Sequence, residues 1–563
     1  MLRQIFAASI IISILFLNEL QSQVSHRDTL LAWDHFEYTL DENNGMDYYS
    51  TTNIIEQLYN GLVIENEFVQ LIILPEFGAR VISYYYKPTG HEQFYTNPVG
   101  TPYGMGDGNF YYDWLMVFGG VFPTFPEPEH GKTWFLPWEW EFTEISDERI
   151  TLKMQLQDTI NFPYHPGKFN NGVTNARCIS TVSLERGKTS FTFEHTIENT
   201  RAETITMEYW TCTTLAPGSD VGNTFTPANS EIVVPLDFIY VKNDWWPWMG
   251  NVETPASGQG SHVFEYNKLA WYQNWDDMGI AYAYPSLAAD FYGVINHDNN
   301  EGVFRVADNA GVTPGMKFWT WGADQGLGAD PENFYDMKRP YIELWSGLST
   351  QFFENYYLTA NESVSWAETY MPTVGMQSVT MANENGAIYL EHINPEAEIF
   401  NIEVFTTSPG ELYQLEVTLQ GSNVIDISDD NFIAQSDQAS TFSFSLDDYS
   451  IEDGNYTLNA RLMDHLGELA LEAAIPTSIP LPAFGIQSLA ISKPKVIRLN
   501  SNTYLLEFKH DDKRLLSTYS LSGQLLSESI NYGNQVYIQV DKPGMYIVRI
   551  SENNQFYSIK IAF

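Results

Sequence analysis

The sequence predicts an all-β protein: a large antiparallel supersandwich, then a smaller sandwich, then a small C-terminal β domain. Three observations carry that expectation. Apolar residues recur at every second position through long stretches, as in "ITLKMQLQDTI" and "STVSLERGKTSFTFEHTIENT", the period of half-buried antiparallel strands. Turn formers punctuate these runs, with 38 glycines and 27 prolines, while segments of helical period are few. Aromatic residues make up 15% of the chain, which suits pleated, half-buried faces.

The chain opens MLRQIFAASIIISILFLNELQSQ, with Arg3 ahead of an apolar run from Ile5 to Leu17 and small or polar residues through Ser22. Residues 1–22 therefore read as a secretory signal peptide. That run is short for a bilayer, and no later stretch approaches the ~20 apolar residues of a membrane helix. The expectation is a protein without a membrane span, exported through the periplasm to be secreted or held at the cell surface. Residues 23–376 make the first domain, beginning with strands such as "FVQLIILPEFGARVISYYY". In residues 377–480, "IFNIEVFTTS", "LYQLEVTLQG", "TFSFSLDDY" and "YTLNARLMD" are short strands at turn-spaced intervals, the spacing of an immunoglobulin-like sandwich. Prolines in "IPTSIPLPAFG" break the pattern and lead into a linker at 481–490.

A formal net charge of −43 argues against nucleic acid and anionic membranes as partners, since both would repel it. The two cysteines, Cys178 and Cys212, can pair in an oxidising compartment or stand as buried thiols on neighbouring strands. Neither has a C-x-x-C partner. The acidic runs "DNNEG" and "DISDDNF" lack calcium-loop spacing, and no Walker loop, G-x-S-x-G elbow or H-E-x-x-H pair is present. No metal and no cofactor is expected.

Residues 491–563 change character: nine Lys/Arg stand against six Asp/Glu, so this end is mildly basic. Here "YSLSGQLL", "KPGMYIVRI" and a final strand carrying Lys560 resemble the C-terminal sorting domain that directs cargo through the type IX secretion system of Bacteroidetes. The resemblance implies that export machinery as a partner and says nothing about chemistry.

Candidate chemistry lies in the first domain. Alternation in "KFWTWG" puts Lys317, Trp319 and Trp321 on one face, and in "YIELWSG" it puts Tyr341, Glu343 and Trp345 together. Indoles suit the C–H faces of pyranose rings, while acids and cations bond hydroxyls, so these faces read as a sugar cleft. In "EPEHGKTWFLPW" prolines 128 and 137 deny long regular structure to the segment holding His130 and Lys132, leaving a loop of the kind that carries binding residues. Basic residues are scarce, 28 in all, yet Arg80, Lys132, Lys317, Lys338 and Arg339 fall in or beside these stretches. Local positive charge in so acidic a chain points to an anionic ligand.

Four stretches, "LPEFGARVISYYYKPTGHEQFYTNP", "VFGGVFPTFPEPEHGKTWFLPWEW", "VADNAGVTPGMKFWTWGAD" and "RPYIELWSG", together resemble the galactose mutarotase-like superfamily over roughly residues 55 to 375, and within it an uncharacterised family. The resemblance implies a mutarotase-like supersandwich with Glu343 as the base that takes a sugar proton, His130 as the facing acid or base, and Arg80 on a sugar oxygen or carboxylate. Mutarotases add a second histidine from a middle strand; the corresponding "MEYWTCTTLAPG" has none, which argues against ordinary mutarotation. His195 does not replace it, because in "FTFEHTI" it shares its face with Phe191, Phe193 and Ile197, the pattern of a core residue.

The expected activity is general acid–base β-elimination on uronic-acid-containing oligosaccharides or polysaccharides, as a lyase or dehydratase. Its catalytic residues are His130, Glu343 and Tyr341, and Arg80, Lys132, Lys317, Trp319, Trp321 and Trp345 bind substrate. A glycoside hydrolase pairing Glu343 with Glu127, Glu129 or Asp113, an aldose epimerase, and a non-catalytic surface carbohydrate-binding protein are the alternatives.

Overall fold

The computed structural model describes residues 23–40, 46–101, 117–128, 130–160, 172–241, 248, 255–267, 269–323, 340–394, 399–446, 449, 451–452, 454–479, 495–498, 503–508, 513–520, 525–531, 533–540, 545–552 and 555–562. The segments read as signal peptide and linker lie outside the described residues, as do Asp113, Glu129, Lys338 and Arg339. Among the described residues, strands account for nearly all regular structure, and the helical element is a single 3-10 turn at Tyr272–Asn274. No helix among them is long and apolar enough to cross a membrane.

The chain divides into two compact units, Met1–Ile479 and Pro480–Phe563. The first is built on a 14-stranded sheet facing an 8-stranded one. Alternation explains the second sheet well. Phe191–Glu198 buries Phe191, Phe193, His195 and Ile197 and turns its other side outward, as its sequence pattern predicts. The two strands that carry most of the candidate residues behave differently. Gly315–Thr320 and Ile342–Gly347 are buried at every position. One side of each, Met316 and Phe318 with Ile342 and Leu344, packs in the core between the sheets. The other side needs a second cover, and Trp33, Phe77, Phe122, Trp134, Trp210 and Phe352 supply part of it.

Between the sheets lies a charged network. Glu368 accepts from Thr211, Trp366 and Tyr370 at 2.8, 2.9 and 2.8 Å, and Arg305 Nε lies 3.0 Å from its Oε2. His195 Nδ1 meets Ser180 Oγ and Tyr209 OH, both at 2.9 Å. This network ties the Ser363–Val374 strand of one sheet to the Trp210–Ser219 strand of the other.

The same compact unit ends in two 4-stranded sheets formed between residues 381 and 479. They are joined to the large sandwich through Thr189 N to Thr407 O, 2.9 Å, and Ala439 N to Val374 O, 2.7 Å. The second unit has sheets of three and four strands around its own core of Leu506, Phe508, Leu516, Val536, Ile538, Val540, Val548 and Ile550.

Candidate functional site

Strand pairing assembles the site from distant sequence. Lys317 lies opposite Trp345 and Trp319 opposite Glu343, and Glu343 lies opposite Thr214 on the next strand. Because side chains alternate, these residues share one face with Tyr341 and Cys212, on the side away from the inter-sheet core.

Two loops fold over that face. Gly78, at φ +75°, lets the turn before Arg80 meet a second loop backbone to backbone; a Cβ there would stand 2.0 Å from Trp134 O. Arg80 then starts its strand fully buried, donating to Gly119 O and, at 3.3 Å, to Trp134 O, with its guanidinium carbon 3.7 Å from the Phe122 ring centre. Its Nε has no hydrogen-bond partner. Burial lowers its pKa to about 9 against the opposing fields of Cys212, Tyr59 and Glu343, so the cation persists at neutral pH.

The second loop turns tightly at Gly131, φ +76°, where Phe125 and Gly131 bridge and Lys132 N donates to Phe125 O at 2.9 Å. The turn sends His130 inward, with its ring centre 5.9 Å from that of Trp345 and 6.2 Å from that of Trp134. Its Nδ1 is buried without a hydrogen-bond partner. Burial, then the charges of Lys317 and Arg80, lower its pKa to about 3, so the imidazole is neutral at pH 7.

Opposite it, Glu343 Oε1 accepts from Tyr341 OH at 3.2 Å and Oε2 from Trp345 Nε1 at 2.5 Å. Burial, then the Glu343 charge, raise the Tyr341 phenol well above its ordinary value, which keeps it a proton donor. The Lys317 ammonium stands 4.4 Å from both the Trp345 and Phe352 ring centres, a cation–π seat. Six of the nine residues expected from sequence, Arg80, His130, Lys317, Tyr341, Glu343 and Trp345, therefore meet here.

The other three are placed differently. Trp319 and Trp321 are 3% and 2% exposed; they pack edge to face at 4.6 Å, Trp319 lies 5.8 Å from Tyr341, and Tyr341 stacks on Tyr95 at 4.0 Å. They are a buried side wall, with no open face for a sugar as placed. Lys132 points away. Its ammonium lies 3.3 Å from Asp158 Oδ1 and donates to Ile160 O at 3.1 Å and to Gly172 O, pinning the chain around Asp158 beneath the His130 loop. Lys132→Met is expected to destabilise the fold by about 3–5 kcal/mol, since it strands a buried carboxylate; denaturant unfolding checks this, and a change under 1 kcal/mol would show that the pair has no structural weight.

The place of Cys212 on the site face, and Phe352 altogether, escaped the sequence reading. Cys212 follows from the alternation of "WTCTTL", and Phe352 from an apolar pair inside the polar turn "STQFFEN". Both cysteines are free, buried thiols, Cys178 in the inter-sheet core and Cys212 on the site face. Among the described residues, no group of three or more His, Cys, Asp or Glu side chains is placed to hold a metal ion.

No family model matches the chain. Among solved structures it is similar to a TPR-domain containing protein from Parabacteroides distasonis, with 16% identity and a TM-score of 0.48 over 63% of this chain and 56% of that one. It is also similar to a galactose mutarotase-like protein from Clostridium acetobutylicum, with 11% identity and a TM-score of 0.39 over 61% and 99% of the two chains. A galactose mutarotase-like protein from Lactobacillus casei gives 11%, 0.34, 55% and 99% in the same order.

Proposed function

We propose that this chain is an exported carbohydrate-active enzyme of the mutarotase-like type that performs general acid–base β-elimination on uronic-acid-containing oligosaccharides. One observation carries the reading: a neutral imidazole, a protonated phenol, a carboxylate and two cations converge on one sheet face.

The chemistry assigns each group a part. Arg80 or Lys317 neutralises the substrate carboxylate, which acidifies the adjacent C5 proton. His130, held neutral between those cations, takes that proton; the C–H electrons form the C4=C5 double bond and the C4–O bond breaks. Tyr341 gives its proton to the leaving oxygen. Glu343 orients Tyr341 and Trp345 by accepting from both. The roles of His130 and Glu343 as base interchange if the substrate enters from the Glu343 side.

Arg80, His130, Lys317 and Glu343 are at most 7% exposed, so substrate reaches them only when a covering segment such as the Phe352 turn moves. That burial favours a second reading, a structural charge cluster without turnover. Incubation of the full chain with polygalacturonate and with alginate oligosaccharides separates the readings. Elimination gives the ultraviolet absorbance of a conjugated double bond and hydrolysis gives new reducing ends without it. Neither product across both substrates would leave the structural reading.

Residues 491–563 are proposed to serve as the sorting tail; the separate core of the unit they belong to, Pro480–Phe563, supports this. Cells expressing a chain that lacks them should retain the protein in the periplasm, and unchanged release to the medium would refute the role.

A further inference from the structure

Among the described residues, Trp140 is the one tryptophan with a largely open side chain, at 43% exposure. It sits on Glu139–Ile145, the edge strand of the 8-stranded sheet, and its ring meets Phe142 edge-on at 6.0 Å. A groove of about 740 Å³ runs between this indole and the long hairpin of Ser25–Leu40 and Met46–Glu65, lined among others by Asp28, Leu30, Asn60 and Glu76. A smaller recess of about 180 Å³ also borders Trp140, beside Glu139 and Glu141. Grooves of the larger size hold small ligands, and here the half-open indole forms part of the groove wall.

The polar lining indicates which ligand fits. Asp28 and Glu76 are the charged groups of the large groove; Asn60 Nδ2 donates to Glu76 Oε2 at 3.0 Å, which orients that carboxylate. Beyond it, Lys153 and Gln155 are engaged by Glu141 and Glu139 at 3.3 and 3.1 Å. The groove thus offers acceptors for hydroxyl protons beside a flat apolar ring, and it repels anions. Acidic side chains at Glu139, Glu141 and Glu144 also discourage another strand from adding at this edge, which disfavours a second copy as occupant.

We propose that this groove is a second glycan site, separate from the interior cluster, which docks a neutral hexose chain by stacking a pyranose ring on Trp140 and bonding its hydroxyls to Asp28, Asn60 and Glu76. It stands whether or not the interior cluster turns over substrate. The site would hold a mixed polymer through its neutral stretches.

Affinity electrophoresis of the full chain in gels containing hydroxyethylcellulose, galactomannan or polygalacturonate tests it. Retardation is expected with at least one neutral polymer, weakened about tenfold by Trp140→Ala and largely kept by Trp140→Phe, and unchanged in Glu343→Gln. Glu76→Ala, far less intrusive, should weaken it severalfold. Three results would overturn the proposal: no retardation by either neutral polymer, retardation indifferent to both Trp140→Ala and Glu76→Ala, or a Trp140-dependent self-association in sedimentation that replaces glycan binding. Thermal melting of each variant shows that the fold is intact.

Discussion

Glu343→Gln is expected to lower turnover on an acidic oligosaccharide by up to about 10²–10⁴-fold, the usual weight of the acid–base group it aims, Tyr341, with the fold retained. The carboxylate accepts from Tyr341 and Trp345 at once. An amide offers one oxygen, so one of these donors turns away and the phenol loses its aim. His130→Gln should cost a similar factor, because Nδ1 of His130 is the buried ring nitrogen without a partner. The pH profile separates a catalytic from a structural histidine. With its pKa lowered to about 3, His130 stays an unprotonated base down to pH 5, so the rate should be nearly flat between pH 7 and 5. A histidine at its ordinary value would lose most of its activity over that interval. A rate midpoint near 6.5 would remove His130 from the role of base. Full activity in both variants would dismantle the site.

The same depressed value has a cost in stability, and its sign follows from proton linkage. Above the unfolded pKa near 6.5 both states are neutral and nothing is lost. As pH falls from there towards 3, the unfolded chain binds the proton that the folded chain refuses, so stability declines across that window. Low-pH assays therefore need melting controls beside them.

How far the site could be read from sequence depended on which property was asked of it. Same-face grouping was legible: the alternation of "KFWTWG" and "YIELWSG" put Lys317 with Trp319 and Glu343 with Trp345, and strand pairing keeps those groups together. Openness was not legible. Whether the face of Trp319 meets solvent or is packed away is decided in part by Tyr95, Val99 and Ala216, far from it in the chain, which complete the cluster around Trp321 and Tyr341. Trp140, from the equally aromatic "WEWEF", came out exposed for the same reason. Lys132 shows a second limit. It stands two residues from His130, but the left-handed Gly131 between them turns one side chain to the site face and the other to Asp158. In a loop, proximity in sequence carries no information about direction.

Arg305→Met is expected to destabilise the chain by about 3–5 kcal/mol, as removing one partner of a buried ion pair does. Arg305 and Glu368 are 2% and 0% exposed. Burial opposes the Glu368 charge, yet Arg305 and then His195 hold its pKa at about 2, and Glu368 in turn raises Arg305 above its ordinary value against burial. Without Arg305 a carboxylate would sit uncompensated between the sheets, directly behind the strands that carry Glu343 and Cys212. Glu368→Leu alone should cost a comparable amount by stranding the guanidinium. The double variant should be more stable than either single one, because two apolar side chains leave no unpaired charge. Denaturant unfolding of the four proteins closes the cycle, and strictly additive losses would show that the two charges do not depend on each other. Acid unfolding gives an independent check. The stabilisation from Glu368 is present above its unfolded pKa near 4.5 and lost as pH falls through 2, and His195, lowered to about 4 chiefly by burial, adds a loss between 6.5 and 4. The double variant should therefore show a shallower fall in stability below pH 4.5 than the natural chain, and an equal slope would place the acid-sensitive group elsewhere.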